Sequence, residues 1–301
     1  SFPGKVFFCN SGAEGVEAAI KFARAYGKGI RHEIISMEKS FHGRTTGALT
    51  APGQPKYQEG FSPLLPGIKT IKFNDIHALK SAITDKTVAI LFEPVQGEGG
   101  IHVASQEYVK EVRHLCDEKD ILLIFDEVQT GMGRTGEMFA FKHYGMTPDL
   151  MILAKALGGG LPIGALVVKE AIADTFKPGM HASTFGGSPL ICKASLGAFQ
   201  AIIKDKMLSN TKKMGAYLMD ELSKLQNKFN IIKEIRGIGL MIGVELTIEG
   251  KAIFEDCLAH GLIINCTQGN VLRIMPALNV TKKQINNALF ILEKALEKTA
   301  K

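Results

Sequence analysis

Six short apolar runs, at residues 6–9, 33–36, 88–92, 121–125, 150–153 and 165–168, constrain this chain more than any other feature. Stretches of helical spacing separate several of them. Between the first two runs, Val16, Ala19, Ile20 and Ala23 recur at spacings of three and four, and residues 106–119 also read as a helix. A strand that is apolar on both sides of its pleat must be covered on both faces. The expected fold is therefore α/β, with a mostly parallel central sheet and helices on both faces. Beyond residue 189 the pattern changes. It is helical to about residue 230, followed by short strands at 239–246, 262–266 and 271–275 and a helix from about Lys282. Gln268-Gly269-Asn270 reads as a hairpin turn. This predicts a large domain over 1–203 and a smaller C-terminal α+β domain over 204–301.

Composition narrows the classes of function. The net charge of +6 is dispersed, with no Lys/Arg block, which gives little footing to nucleic-acid binding. Five scattered cysteines (Cys9, Cys116, Cys192, Cys257, Cys266) form no C-x-x-C pair. That pattern speaks against a disulfide framework or a zinc site and for a reducing, cytoplasmic setting. Residues 150–168 are apolar enough to suggest a membrane span but contain Lys155, three consecutive glycines and Pro162. A lysine near a bilayer centre costs roughly 2.5–3.5 kcal/mol, so this segment reads as buried structure.

Polar residues gather where the strands end. Asn10-Ser11-Gly12-Ala13-Glu14 follows the first run and Ser40-Phe41-His42-Gly43-Arg44-Thr45 the second. Glu93 to Gly100, Asp126 to Gly131 and Lys155 follow later ones. Open α/β sheets bind ligands beyond the carboxyl ends of their strands. Ser11 to Glu14 is a capping-box pattern whose free amides suit a phosphate, and it is equally an ordinary helix cap. Asp126, after five apolar residues, is a desolvated carboxylate in need of a partner: a protonated pyridine nitrogen, or a structural cap or ion pair. Lys155 has apolar neighbours on both sides. Desolvation would favour its neutral, nucleophilic amine, and the alternative is a lysine snorkelling to the surface.

Residues 131–136 (GMGRTG) match the dinucleotide pattern G-x-G-x-x-G, which would suit a nicotinamide-dependent oxidoreductase. In that motif the first glycine sits in the turn directly after the strand. Here five residues intervene, and the segment reads as a glycine-rich active-site loop.

In combination, FFCNSGAE, SFHGRT, EPVQGEGG, LLIFDEVQTGMGRTG, LAKALGGGLPIGA, STFGG and NVLRIMPAL resemble the class-III aminotransferases, pyridoxal-phosphate enzymes of fold type I. The resemblance runs through essentially the whole chain. It implies pyridoxal 5'-phosphate held on Lys155, which would also carry a proton during the reaction. It further implies Asp126 on the pyridinium nitrogen, Gln129 near the phenolic oxygen, Phe41 stacked on the ring, and Gly12 and Ala13 on the phosphate. Thr184 would reach the phosphate of a neighbouring subunit in a homodimer. Arg44 would hold the distal substrate carboxylate and Arg273 the one beside the reacting amine, with Glu98 covering Arg273 when that carboxylate is absent. The implied substrates are an acylated ornithine and the glutamate/2-oxoglutarate pair; ornithine, succinylornithine and succinyldiaminopimelate are the alternatives. Members of the family carry a further N-terminal segment ahead of the position where this chain begins, which raises an inactive fragment as a further possibility.

Overall fold

The computed structural model describes residues 1–299. The chain folds into two compact units, each discontinuous in sequence. The first comprises Ser1–Gln96, Ala104–Met132 and Phe139–Gln200; the second comprises Gly97–Val103, Gly133–Met138 and Ala201–Lys301. The apolar patterning suggests a single boundary at 203/204. Two short excursions from the earlier part of the chain instead belong with the second unit.

The first unit is built on strands β1 (Gly4–Cys9), β2 (Glu33–Met37), β3 (Ile68–Ile71), β4 (Thr87–Phe92), the short β5 (Val95–Gln96), and, after β6 (His102–Val103) of the second unit, β7 (Leu122–Asp126), β8 (Leu150–Leu153) and β9 (Gly164–Lys169). Seven of them form one sheet in the order β1-β9-β8-β7-β4-β2-β3. Strands β3, β2, β4, β7 and β8 pair in parallel. β9 runs antiparallel to both of its neighbours, β8 and β1. β1 therefore points the same way as β8, and the carboxyl ends of six strands share one edge.

Helix α1 (Gly12–Tyr26) covers one face. Its Val16, Ala19, Ile20 and Ala23 join Leu91, Ile124, Ile152 and Leu166 in a single buried cluster. Small alanines on this stripe let the helix backbone lie close to the sheet. After α2 (Thr46–Thr50), α3 (Pro55–Gln58) and α4 (Ile76–Ala82), helix α5 (Gln106–Lys119) buries Tyr108, Val109, Val112 and Leu115. Its Tyr108 meets Phe92 edge-to-face at 5.9 Å, and Phe92 meets Phe125 at 4.9 Å. Leu91 and Ile124 pack in the α1 cluster while their neighbours Phe92 and Phe125 join this aromatic group, the alternation expected of strands buried on both faces.

In the second unit, α7 (Met207–Lys228), α8 (Lys251–Ala259) and α9 (Lys282–Thr299) accompany an antiparallel sheet. Its order is β10 (Ile232–Ile238), β11 (Met241–Leu246), β13 (Val271–Ile274), β12 (Asn265–Thr267). Leu218 and Leu222 of α7, Ile242 and Val244 of β11, and Leu292 and Leu296 of α9 share its core. The helical stretch expected over 189–230 is two helices. α6 (Pro189–Lys204) ends before Lys206, whose left-handed backbone (φ +53°) starts α7.

One half-buried ion cluster ties the amino-terminal end of β7 to its neighbours. The Asp149 carboxylate accepts from Arg113 (2.8 Å), Lys169 (2.9 Å) and the Leu123 amide (2.8 Å). Burial alone would raise its proton affinity; the Arg113 guanidinium, with the Leu123 amide and Lys169, outweighs burial and holds the carboxyl below the ordinary value of 3.8. A depressed carboxyl pKa stabilises the fold above the unfolded value and is lost as pH falls through the folded one. Asp149→Ala should cost about 2–3 kcal/mol in denaturant unfolding at neutral pH. The gap to the wild type should close in acid.

Candidate active site

The site is assembled from the residues just beyond the carboxyl ends of the parallel strands. Register sets Glu93, just after β4, beside Asp126 at the end of β7, because Phe92 pairs with Phe125. It sets Asp126 opposite Ile152 of β8, three residues ahead of Lys155. Three exits in a row thus carry a carboxylate, a carboxylate and an amine.

Asp126 is buried. Its Oδ2 accepts from His42 Nδ1 at 2.7 Å and its Oδ1 from the Val128 amide at 3.0 Å. Burial pulls the His42 pKa down, but the hydrogen bond and charge of Asp126, with Glu93 adding, leave it above the ordinary histidine value. The pair thus favours the protonated form of His42, which suits the Asp126 carboxylate. His42 Nε2 is buried with no hydrogen-bond partner. The neighbouring residue is fixed as well, since the Phe41 amide donates to Glu93 Oε2 at 3.1 Å.

The phosphate-cradle reading of α1 acquires geometry here. Ser11 caps the helix through the Glu14 amide, while the Glu14 carboxylate reaches back to Asn10, one residue beyond the usual capping box. Helix geometry leaves the Gly12 and Ala13 amides without an intrahelical acceptor. A Cβ on Gly12 would lie 3.0 Å from the Val128 methyls and 3.6 Å from Ala154 Cβ. A Cβ on Gly43 would lie 2.7 Å from Ala13 Cβ. Small residues thus bring the α1 start, the Asp126 exit, the Lys155 exit and the Phe41–Gly43 loop into one place. The Glu17 carboxylate holds that loop further on, accepting from Thr45 Oγ1 (2.6 Å) and the Gly47 (2.8 Å) and Ala48 (3.1 Å) amides.

Lys155 departs from the sequence-based expectation. Its neighbours Leu153, Ala154 and Leu157 are buried, yet Lys155 is exposed, so the desolvation expected from its apolar surroundings is not there. The reason is local. Ala154 is extended and Lys155 adopts φ +47°, turning the chain into a short 3₁₀ segment that throws the side chain outward. A non-glycine residue in this region pays of order 1–3 kcal/mol, and such residues cluster at functional positions. Ser195 Oγ fixes the turn from below by donating to Leu157 O at 2.7 Å.

The other expected residues fall in separate places. Arg44 is exposed and lies over the rings of Tyr57 (4.7 Å) and Phe41 (5.7 Å). Thr184 is exposed on a cavity of ≈ 370 Å³ that Asn10, Glu14 and Ser183 also line. Gln129 is half-buried, two residues beyond Glu127. In the second unit, Arg273 Nη1 pairs with Glu98 Oε1 at 2.7 Å. Residues 131–136 form turns, and after the third glycine the next regular element is a 3₁₀ segment at Ala140–Tyr144. A dinucleotide motif would open a helix there.

No residue pattern singles out His42, Glu93 or Glu127 for a role at the site. The only signal was their place inside the strand-exit motifs. Glu127 is fully buried, and its carboxylate accepts from the Ala140 (2.6 Å) and Phe141 (2.8 Å) amides and from Thr130 Oγ1 (3.3 Å). Burial raises its pKa to about 7, against those donors and with Asp126 adding. A raised carboxyl value means the folded state holds the extra proton, so this group's contribution falls as pH rises from 4.5 to about 7. The melting temperature of Glu127→Gln relative to wild type should therefore rise across that interval and level off above it. A flat difference would show that Glu127 does not titrate there.

Known proteins resemble this chain in sequence and fold. The family model for class-III aminotransferases matches residues 2–296. Acetylornithine aminotransferase of Methanocaldococcus jannaschii is 54% identical over 99% of this chain and 76% of its own length. The same-named protein of Caldanaerobacter subterraneus is 54% identical over 98% of this chain and 76% of its own. Among solved structures, N-acetylornithine aminotransferase of Stenotrophomonas maltophilia superposes with a TM-score of 0.84 at 34% identity, covering 99% of this chain and 76% of that one. Ornithine aminotransferase of Toxoplasma gondii superposes with a TM-score of 0.94, also at 34% identity, covering 98% and 73%. With the family model matching nearly the whole chain and relatives this similar, the chain belongs to the class-III aminotransferases.

Proposed function

We propose that this chain transfers the δ-amino group of N-acetylornithine to 2-oxoglutarate, with pyridoxal 5'-phosphate as cofactor. The observation that carries the substrate reading is the Glu98–Arg273 pair at 2.7 Å. An arginine fork suits the carboxylate beside the reacting amine of glutamate. The δ-amine of acetylornithine has no such carboxylate, and an uncovered guanidinium would then lack a counter-charge. Glu98 supplies one. A single site can accept both partners in turn, as a ping-pong reaction requires. The names of the most similar relatives support this choice over ornithine, succinylornithine and succinyldiaminopimelate as donors.

The residues present fit the cofactor. The His42-supported carboxylate of Asp126 suits a pyridinium, the free amides of Gly12 and Ala13 suit a phosphate, and the Lys155 amine stands at the adjoining strand exit. When bound, pyridoxal phosphate supplies an electron sink that lets a proton leave the carbon bearing the amine. The chain's own residues do the rest. Asp126 would keep the ring nitrogen charged, Lys155 would take and return the proton, Phe41 would hold the ring and Gln129 its phenolic oxygen. Arg44 orients the distal carboxylate, and its place over Tyr57 and Phe41 limits where that carboxylate can go.

We further propose a homodimer in which Thr184 serves the partner's phosphate. Leu190 (76% exposed) and Leu196 (56%) of α6 and Phe185 (73%) are large apolar side chains left in solvent, which a second copy would cover. All five cysteines are free, which suits the cytoplasm, and among the described residues no helix is long and apolar enough to cross a membrane.

Initial rates with N-acetylornithine and 2-oxoglutarate should give parallel double-reciprocal lines; intersecting lines would sink the mechanism. Lys155→Ala should lower kcat by a factor on the order of 10²–10⁴, the usual worth of a positioned acid–base group. Ornithine should be a poorer donor than its acetylated form, and a reversal of that order would replace the substrate assignment.

A further inference from the structure

Glu98 sits in a glycine-rich segment (Gly97, Gly99 and Gly100 surround it), which would ordinarily give a mobile backbone. In the second unit that backbone is nonetheless held. The Glu98 carbonyl accepts from Gln268 Nε2 at 2.8 Å. The Gly100 carbonyl accepts from Arg236 Nε (3.0 Å) and Nη2 (2.7 Å). Arg236 is itself fixed by Glu234 and Glu245, with its side chain only 10% exposed. Ile101, the next residue, is buried against Gly243 of β11, where a Cβ would lie 2.9 Å from its own.

Gln268 has a particular position in this set. It occupies the turn between β12 and β13 with a left-handed backbone (φ +53°), and β13 carries Arg273. One hairpin therefore grips Glu98 twice, through its backbone carbonyl by Gln268 and through its carboxylate by Arg273.

We propose that Gln268 is a positioning residue for Glu98, anchoring its backbone so that Arg273 is uncovered and covered by a side-chain swing about a fixed pivot. The proposal rests on the reading of Glu98 and Arg273 given under Proposed function. The physical reason is entropic. Re-pairing a carboxylate on a loose glycine-rich loop must order several backbone residues each time, whereas re-pairing one on an anchored loop orders a single side chain. With Gln268 in place, the covered state is reached at little cost, and this is the state that the donor lacking a neighbouring carboxylate requires. Without it, Arg273 stands open more of the time. A substrate with that carboxylate loses nothing, because it supplies its own anion.

The test uses the cofactor-loaded, full-length chain and Gln268→Met, a side chain of similar length without the donor. Single-turnover half-reactions with N-acetylornithine and with glutamate give the ratio of their kcat/KM values. Calorimetry gives the affinity for glutarate, a dicarboxylate that cannot react. The ratio should move toward glutamate by about three- to tenfold, the range one net hydrogen bond supplies, and glutarate should bind more tightly. Glu98→Ala should move the ratio the same way and further. Adding Gln268→Met to Glu98→Ala should then move it no more, since Gln268 acts through Glu98. Equal loss in both half-reactions, an unchanged ratio, or the same shift in the Glu98→Ala background would overturn the role of Gln268 while leaving the reading of Glu98 intact. A Glu98→Ala variant with a wild-type ratio would overturn both.

Discussion

A carboxylate buried at the end of a strand needs a partner, and the first unit is organised around meeting that need at Asp126. His42 supplies the charge from a loop 84 residues away in sequence. To reach it, the 41–43 segment must cross the exits of β4 and β7, which the Phe41–Glu93 hydrogen bond fixes from one side and the Gly43–Ala13 contact from the other. The same crossing sets Gly43 against Ala13 at the start of α1. One electrostatic requirement thus ties the 41–43 segment, the helix amides and the carboxylate together.

Packing makes this arrangement possible. Gly12 and Gly43 stand where a larger side chain would meet a neighbour at 3.0 Å or less, and Ala13 and Ala154 are the small partners they approach. A bulkier residue at any of these positions would push the helix start away from the strand exits, although the core beneath could still form. The left-handed turn at Lys155 is a local cost of the same kind. The 3₁₀ segment and Ser195 hold a conformation the chain would not choose alone.

Much of the fold could be read from the sequence because its information lies in runs of apolar residues. Strands β4, β7, β8 and β9 and helices α1 and α5 have continuous or strictly periodic hydrophobic patterns. Strand β10 was not visible: Ile232 to Ile238 (IKEIRGI) mixes charges into an incompletely buried strand at the edge of its sheet. β3 and α8 are too short for their apolar spacing to stand out from loops. The reversed direction of β9 left no trace, since a buried strand has the same composition in either orientation. At the site, residue type and strand exit marked Asp126 and Lys155. The Asp126–His42 pair depends on a long-range contact, and the outward turn of Lys155 on a backbone angle. Neither is encoded in neighbouring residues, which is why apolar flanks suggested a buried lysine.

In the proposed reading the Glu98–Arg273 pair of the second unit would select which amine enters, whereas the Asp126 exit and Lys155 would act on any amine that does. Cofactor attachment is therefore the claim on which everything else stands. The most direct measurement is borohydride reduction of the cofactor-loaded protein, with the modified lysine then located by peptide mapping in a mass spectrometer. The account predicts a pyridoxyl group on Lys155 alone, and its loss from the map when Asp126→Ala has weakened cofactor retention. A pyridoxyl group on another lysine, or none on a protein that nonetheless transfers amines, would contradict it.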